Sequence, residues 1–140
     1  MVTSRQKTLV QESFASLAPI AEDAMALFYR RLFELDPALR RMFPEDMAAQ
    51  HRKLAQMLTA AVKGLDHLDR LVPVVQDLGR RHTGYGVTDA HYDTVGAALL
   101  WTLEKGLGSA FTSEMKDAWA TVYGLLARVM KDAARAKAAA

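Results

Sequence analysis

The sequence predicts a single all-α domain, and three observations support this prediction. Apolar residues recur at helical spacing along nearly the whole 140-residue chain, and the clean alternation typical of a strand is absent. Proline and glycine residues fall between these apolar stretches, where helices would end. A chain of this length can bury a core of its own without disulfides. We therefore expect one domain that covers residues 1–140.

Seven helices account for the pattern. The first is expected to begin at Thr3, whose side chain can form a capping box with Gln6. In the fifth, Pro73 is tolerated only if it lies in the first turn. Beyond Asp132 no large apolar side chain remains, so residues 131–140 are expected to fray. The residues expected to bound the other helices are Pro19, Pro37, Pro44, Asp46, Gly64, Gly84-Tyr85-Gly86, Thr88, Gly106, Gly108 and Thr112.

The composition excludes several classes of function. Eighteen basic and sixteen acidic residues are interspersed, with a net charge of +2, so no basic patch suggests a nucleic-acid partner. The chain has no cysteine for a disulfide or a thiolate zinc site, and no apolar run long enough to span a bilayer. Residues 1–7 show no secretory signal. We expect a cytoplasmic protein that has no membrane partner and carries none of the common hydrolase or phosphate-loop motifs.

His82 is the residue most suggestive of chemistry. It completes the apolar stripe of Leu71, Val75 and Leu78, so its ring is directed inward at the last turn of a helix. A histidine on an apolar face is, taken alone, more often a core residue than a metal ligand. The other three histidines are interpreted as surface or helix-end residues. His51, for example, lies about 100° around the helix from its neighbour Gln50.

Three further features favour a ligand-binding role for His82. Gln50 lies on an apolar helix face one turn before Leu54, and its amide needs a partner. Tyr29 lies in an aromatic stretch where its hydroxyl needs one too, although a role as core filler is the alternative. Phe43, held between Pro37 and Pro44, could stack on a flat group. Together these residues suit a metal–porphyrin pocket that has one open coordination position.

Five stretches carry a resemblance to a known family. Residues 27–37 and 41–43 resemble the B, C and CD region of bacterial globins. Residues 78–82, 91–92 and 118–124 resemble helices F, G and H of the flavohaemoglobin lineage. The chain thus resembles a bacterial single-domain globin over nearly its whole length. The resemblance implies a globin fold, with helices A, B, C, E, F, G and H around a haem b.

The resemblance also implies roles for individual residues. His82 corresponds to the proximal iron ligand, and Phe43 to the phenylalanine that wedges the haem. Tyr29 and Gln50 correspond to the distal pair that hydrogen-bonds oxygen, and Leu54 borders the gas ligand. The remaining positions expected to contact the haem or its proximal side are Lys53, Leu78, Arg81 and Tyr92. For Lys53 and Arg81, which would meet the propionates, a solvated helix charge is an equal alternative.

Two departures from flavohaemoglobins bear on function. Their helix H carries a glutamate that pairs with the proximal tyrosine and histidine, and the matching position here is Ala134. A flavin reductase domain is not expected within these 140 residues either. We therefore expect reversible binding of oxygen, and of nitric oxide or carbon monoxide, at a five-coordinate iron. Nitric oxide dioxygenation with a separate reductase, gas sensing, and a haem-free helical interaction module are the alternatives.

Overall fold

The computed structural model describes residues 2–84 and 87–139. Within these ranges the chain is helical and forms no strand, which confirms the all-α prediction. The α-helices are α1 (Ser4–Leu17), α2 (Ala21–Leu35), α3 (Ala48–Gly64), α4 (Leu68–Gly84), α5 (Asp89–Leu107) and α6 (Ser113–Ala139). Short 3₁₀ helices lie between them at Ala18–Ile20, Pro37–Met42, Leu65–His67 and Gly108–Ala110.

The predicted helix starts are confirmed where a side chain caps the helix. The Thr3 hydroxyl accepts from the Gln6 N–H at 3.1 Å, and the Gln6 side chain accepts from the Thr3 N–H at 2.9 Å. At the start of α5 the Thr88 N–H donates to Nδ1 of His91 at 3.0 Å, so His91 is a helix-end residue as expected. The Thr112 hydroxyl caps α6. These contacts satisfy N–H groups that have no partner within the helix.

Two details of the helix predictions need correction. Pro73 is the sixth residue of α4 rather than part of its first turn. The proline and Asp69, whose carbonyl loses its helical partner, are both exposed, so water can replace the missing hydrogen bond. The predicted third helix is a 3₁₀ segment, with Pro37 at its first position. Of the predicted break after α4, Tyr85 and Gly86 lie outside the described residues, and the helix continues to Gly84.

The sequence predicts fraying of residues 131–140, and the structure continues α6 through residues 131–139. Ala133 is only 6% exposed, so one small side chain of this segment is buried. Arg135 reaches the start of α5 and pairs with Asp89 at 2.7 Å. Alanine is also the strongest helix former, which favours a helical end.

The core lies where α1, α2, α5 and α6 meet. Helix α4 packs mainly on α6, while α2 packs on α5 and α1 on α6. Trp119 of α6 is buried and donates its indole N–H to the Ser13 hydroxyl of α1 at 2.8 Å. These contacts fix the framework against which α3 and α4 are placed.

A close crossing at Gly79 sets the position of α4 on α6. A Cβ atom built at Gly79 would lie 2.6 Å from the Cα of Met130, which real Cβ atoms essentially never show. Only a residue without a side chain allows the two backbones to approach so closely. The crossing lies one turn before His82 and therefore determines where that ring is held.

We expect Gly79→Ala to lower the free energy of unfolding by about 1–3 kcal/mol, because the added methyl group meets backbone that cannot rotate away. Gly124→Ala is the matched control, since a Cβ there has no atom within 4 Å. In an exposed helical position the control should stabilise the protein by up to about 1 kcal/mol. Urea unfolding of both variants measures the difference. Equal stability of the two would show that the helices do not cross this closely.

Candidate functional site

Tyr29 lies at the centre of an aromatic cluster built from α2 and the segment that follows it. The residue is 5% exposed. Its ring centroid lies 5.1 Å from that of Phe28, 6.0 Å from that of Phe33 and 5.4 Å from that of Phe43. Tyr29 and Phe33 are four residues apart and so share one face of α2. The structure thus brings Phe43 to Tyr29, as a common site requires.

Gln50 and Tyr29, which are 21 residues apart in sequence, are hydrogen-bonded to each other. The Gln50 amide donates to the Tyr29 oxygen at 3.1 Å. Burial raises the pKa of Tyr29, and the bond from Gln50 opposes this only in part, so the phenol keeps its proton at neutral pH. Because its oxygen already accepts from Gln50, the Tyr29 O–H is directed elsewhere and can donate to a ligand.

Arg40 holds the loop that carries Phe43, a role the sequence analysis missed. Its guanidinium donates to the carbonyls of Phe43 at 3.2 Å, Pro44 at 2.9 Å and Glu45 at 3.0 Å. It also lies over the Phe33 ring, with its central carbon 5.5 Å from the centroid. The signal in the sequence is an arginine within the segment between Pro37 and Pro44, close to loop carbonyls that need donors.

His51 was expected off the site, and the structure corrects this. Its ring stacks on the Tyr29 ring, with centroids 5.5 Å apart and planes 23° from parallel. The side chain is half-buried. The first turn of α3 lies beside α2, so a residue about 100° from Gln50 still contacts the tyrosine. His67, by contrast, is exposed as predicted.

His82 is half-buried near the end of α4, with its Nδ1 2.8 Å from the Leu78 carbonyl. A carbonyl can only accept, so Nδ1 carries the proton and Nε2 holds the lone pair. Burial lowers the pKa of His82, the Leu78 carbonyl opposes this, and the nearby Arg81 lowers it further. The neutral ring, which is the form that binds metals, is therefore favoured.

The other predicted residues differ in their surroundings. Leu54 and Leu78 are half-buried on α3 and α4. Lys53 is exposed, and Arg81 pairs with Asp77 at 3.4 Å along α4. Both charged side chains thus lie in solvent.

Tyr92 belongs to a second cluster, between α5 and α6. It is 7% exposed, and its carbonyl accepts from the Tyr123 hydroxyl at 2.6 Å. The Lys131 ammonium lies 5.5 Å from the centroid of the Tyr92 ring. Burial raises the pKa of Tyr92, and Asp89 adds to this. The contacts described for Tyr92 join it to α6 and not to the Tyr29 cluster.

The globin family model matches residues 26–130 of this chain. The chain belongs to the globin family. It is 32% identical to neuroglobin of Danio rerio, over 92% of this chain and 90% of that protein. It is 33% identical to the flavohemoprotein of Bordetella parapertussis, over its own full length but only 36% of the relative. The chain therefore spans about a third of that flavohemoprotein and nearly all of the neuroglobin.

The same globin architecture is found in solved structures. One neighbour is an engineered carbene transferase made from a proposed nitric oxide dioxygenase of Rhodothermus marinus, with a TM-score of 0.88 and 27% identity. The match covers 99% of this globin and 97% of that chain. The predicted globin fold is thus confirmed.

The donor set of this globin suits haem. The neutral imidazole of His82 offers Nε2 to a metal, and its Nδ1–carbonyl contact is the kind that orients metal-ligating histidines. Half-buried apolar side chains from three segments, Phe43, Leu54 and Leu78, are available to cover a flat macrocycle. Within residues 2–84 and 87–139, no three His, Cys, Asp or Glu side chains gather into a group that could hold a metal ion.

None of the helices of this globin in the described ranges is long and apolar enough to cross a bilayer.

Proposed function

We propose that this globin is a single domain that binds haem b and takes up oxygen, and other diatomic gases, reversibly and with high affinity. The observation that carries the proposal is the hydrogen bond from Gln50 to the buried, protonated Tyr29. It leaves one O–H donor in a dry cluster, ready for a ligand. We also infer a similarity to the small bacterial protein called Hell's Gate globin, over nearly the whole chain.

Each haem-contacting residue has one task in this proposal. Haem supplies the ferrous iron at which the gas binds. His82 would hold that iron through Nε2, while the Leu78 carbonyl keeps the ring in one tautomer and one orientation. Phe43, on the loop fixed by Arg40, would wedge the macrocycle, and Leu54 would border the gas. Lys53 and Arg81 lie in solvent, where they could meet propionates.

Tyr29 and Gln50 select for a ligand that gathers negative charge as it binds, as oxygen does. The Tyr29 O–H donates to that charge from a preset position in a site with little water. The Gln50 amide donates to the oxygen of the same hydroxyl and so polarises its O–H bond. Hydrogen bonds linked in a chain strengthen one another. The pair therefore acts as a relay that slows oxygen release, which suits scavenging or sensing better than delivery.

Nitric oxide dioxygenation is the second candidate, because flavohemoprotein relatives and the Rhodothermus neighbour are similar to this chain. It would need electrons from a separate reductase. Ala134 stands where the flavohaemoglobins have their helix-H glutamate, and the Lys131 ammonium lies 5.5 Å from the centroid of the Tyr92 ring. Both features reduce the donation of electron density to the iron from its proximal side. Nitric oxide consumption measured with and without a reductase separates the two candidates.

The visible absorption spectrum tests the proposal directly. The reduced protein without gas should show a five-coordinate high-spin ferrous haem, because Gln50 is not an iron ligand and His51 is stacked on Tyr29. Adding and removing oxygen should interconvert two spectra without net oxidation. Six-coordinate low-spin bands in the gas-free ferrous protein would contradict an open gas position. A protein that takes up no haem would leave only the helical interaction module.

A further inference from the structure

Two residues adjacent in sequence hold different parts of Tyr29. Gln50 donates to its hydroxyl at 3.1 Å, and His51 lies against its ring face at 5.5 Å. Both come from the first turn of α3, so a single placement of that turn serves both contacts. The residue that contacts the hydroxyl and the residue that contacts the ring thus share one backbone support.

The first turn of α3, which carries both residues, is held in place by hydrogen bonds of its own. The Asp46 carboxylate, just before α3, accepts from the N–H of Ala48, the first residue of that helix, at 3.0 Å. The His51 N–H donates to the Met47 carbonyl at 2.9 Å. Because the backbone of His51 is anchored in this way, the helix as well as the stacking contact holds the His51 ring against Tyr29.

The His51 ring is stacked on the Tyr29 ring, whereas the neighbouring aromatic rings are tilted or nearly perpendicular to it. Phe28 and Phe43 meet it edge-on, at interplanar angles of 78° and 67°. Phe33 is tilted by 32° and lies 6.0 Å away. Among the described ring contacts, His51 at 23° is the most nearly parallel. Loss of its imidazole would open space on that face, into which the phenol could turn.

We propose that His51 is a positioning residue for oxygen binding. Its imidazole stacks on Tyr29 and holds the hydroxyl in the direction in which Gln50 reaches it and in which it donates to the ligand. His51 acts through Tyr29 and touches neither the iron nor the gas. This inference rests on the proposed function, because it gives the distal pair a third member.

The experiment compares oxygen release from the haem-loaded protein and three variants. His51→Leu keeps most of the bulk but removes the flat ring, and should release oxygen about three- to tenfold faster, as expected for the loss of one stacked pair. Carbon monoxide release should change much less. His51→Phe restores a flat ring and should return to nearly the wild-type rate. His67→Leu, at an exposed histidine, is the control and should change nothing.

A double-mutant cycle tests whether His51 acts through Tyr29. In the Tyr29→Phe background, His51→Leu should have no further effect on oxygen release. An equal effect in both backgrounds would overturn the positioning role. So would unchanged release from His51→Leu alone, or failure of His51→Phe to restore the rate.

A second readout does not depend on oxygen. In protein with ring-labelled tyrosine, the Tyr29 resonance, assigned through Tyr29→Phe, should shift in His51→Leu and return in His51→Phe. If Tyr29→Phe leaves oxygen release unaltered, the proposed function fails, while this shift still decides whether His51 fixes the ring. Low-spin ferrous bands that vanish in His51→Leu would make His51 an iron ligand and overturn the proposal.

Discussion

Replacing His82 by alanine is expected to leave a protein that holds haem weakly or not at all. Nε2 is the lone-pair nitrogen of a neutral ring oriented by the Leu78 carbonyl, and it is the one protein donor that we assign to the iron. Haem content per chain and the Soret band of the purified variant measure the loss. His67→Ala is the control, because that histidine is exposed in the 3₁₀ helix Leu65–His67.

Added imidazole sharpens the His82 test. His82→Gly should leave room for a free imidazole, which would restore much of the haem spectrum if the side chain serves only as a ligand. Failure to bind haem with imidazole present, in a variant that remains helical by circular dichroism, would indicate that α4 has moved. Full haem content and an unaltered Soret band in His82→Ala would end the assignment of this residue as the iron ligand.

Tyr29→Phe is expected to speed oxygen dissociation by about ten- to a hundredfold. The change keeps the ring in its aromatic cluster and removes only the hydroxyl. A hydrogen bond to a group with charge contributes roughly 1.5–3 kcal/mol, and each ~1.4 kcal/mol corresponds to a factor of ten. Carbon monoxide gathers less negative charge, so its dissociation should change far less. Stopped-flow displacement of each gas measures both rates.

The Gln50–Tyr29 hydrogen bond predicts that loss of the Gln50 amide and loss of the Tyr29 hydroxyl change oxygen release by different amounts. Gln50→Leu should accelerate oxygen release less than Tyr29→Phe does, because the amide acts through the hydroxyl. In the Tyr29→Phe background, Gln50→Leu should add little. Full additivity would mean two independent donors to the ligand. Equal acceleration of oxygen and carbon monoxide would indicate a steric gate and contradict the electrostatic account.

The sequence determined the helix starts that a side chain caps. The capping box of Thr3 and Gln6 and the cap at Thr112 depend on neighbours within three residues, so the pattern predicts them reliably. The same 3.6-residue period placed Tyr29, Gln50 and His82 on inward faces. The structure brings Tyr29 and Gln50 together and gives His82 the local geometry of a ligand. Their roles toward haem stay predictions.

The tertiary structure decided how those faces meet. The crossing of Gly79 on Met130, the stacking of His51 on Tyr29 and the link from Arg135 to Asp89 each join residues at least 22 positions apart. The period of the apolar residues shows which side of a helix is apolar. It does not show how much of the surface of that helix the neighbouring helix covers. For a residue at the edge of the apolar side, such as His51, only the distance between the two helices decides whether it contacts the site.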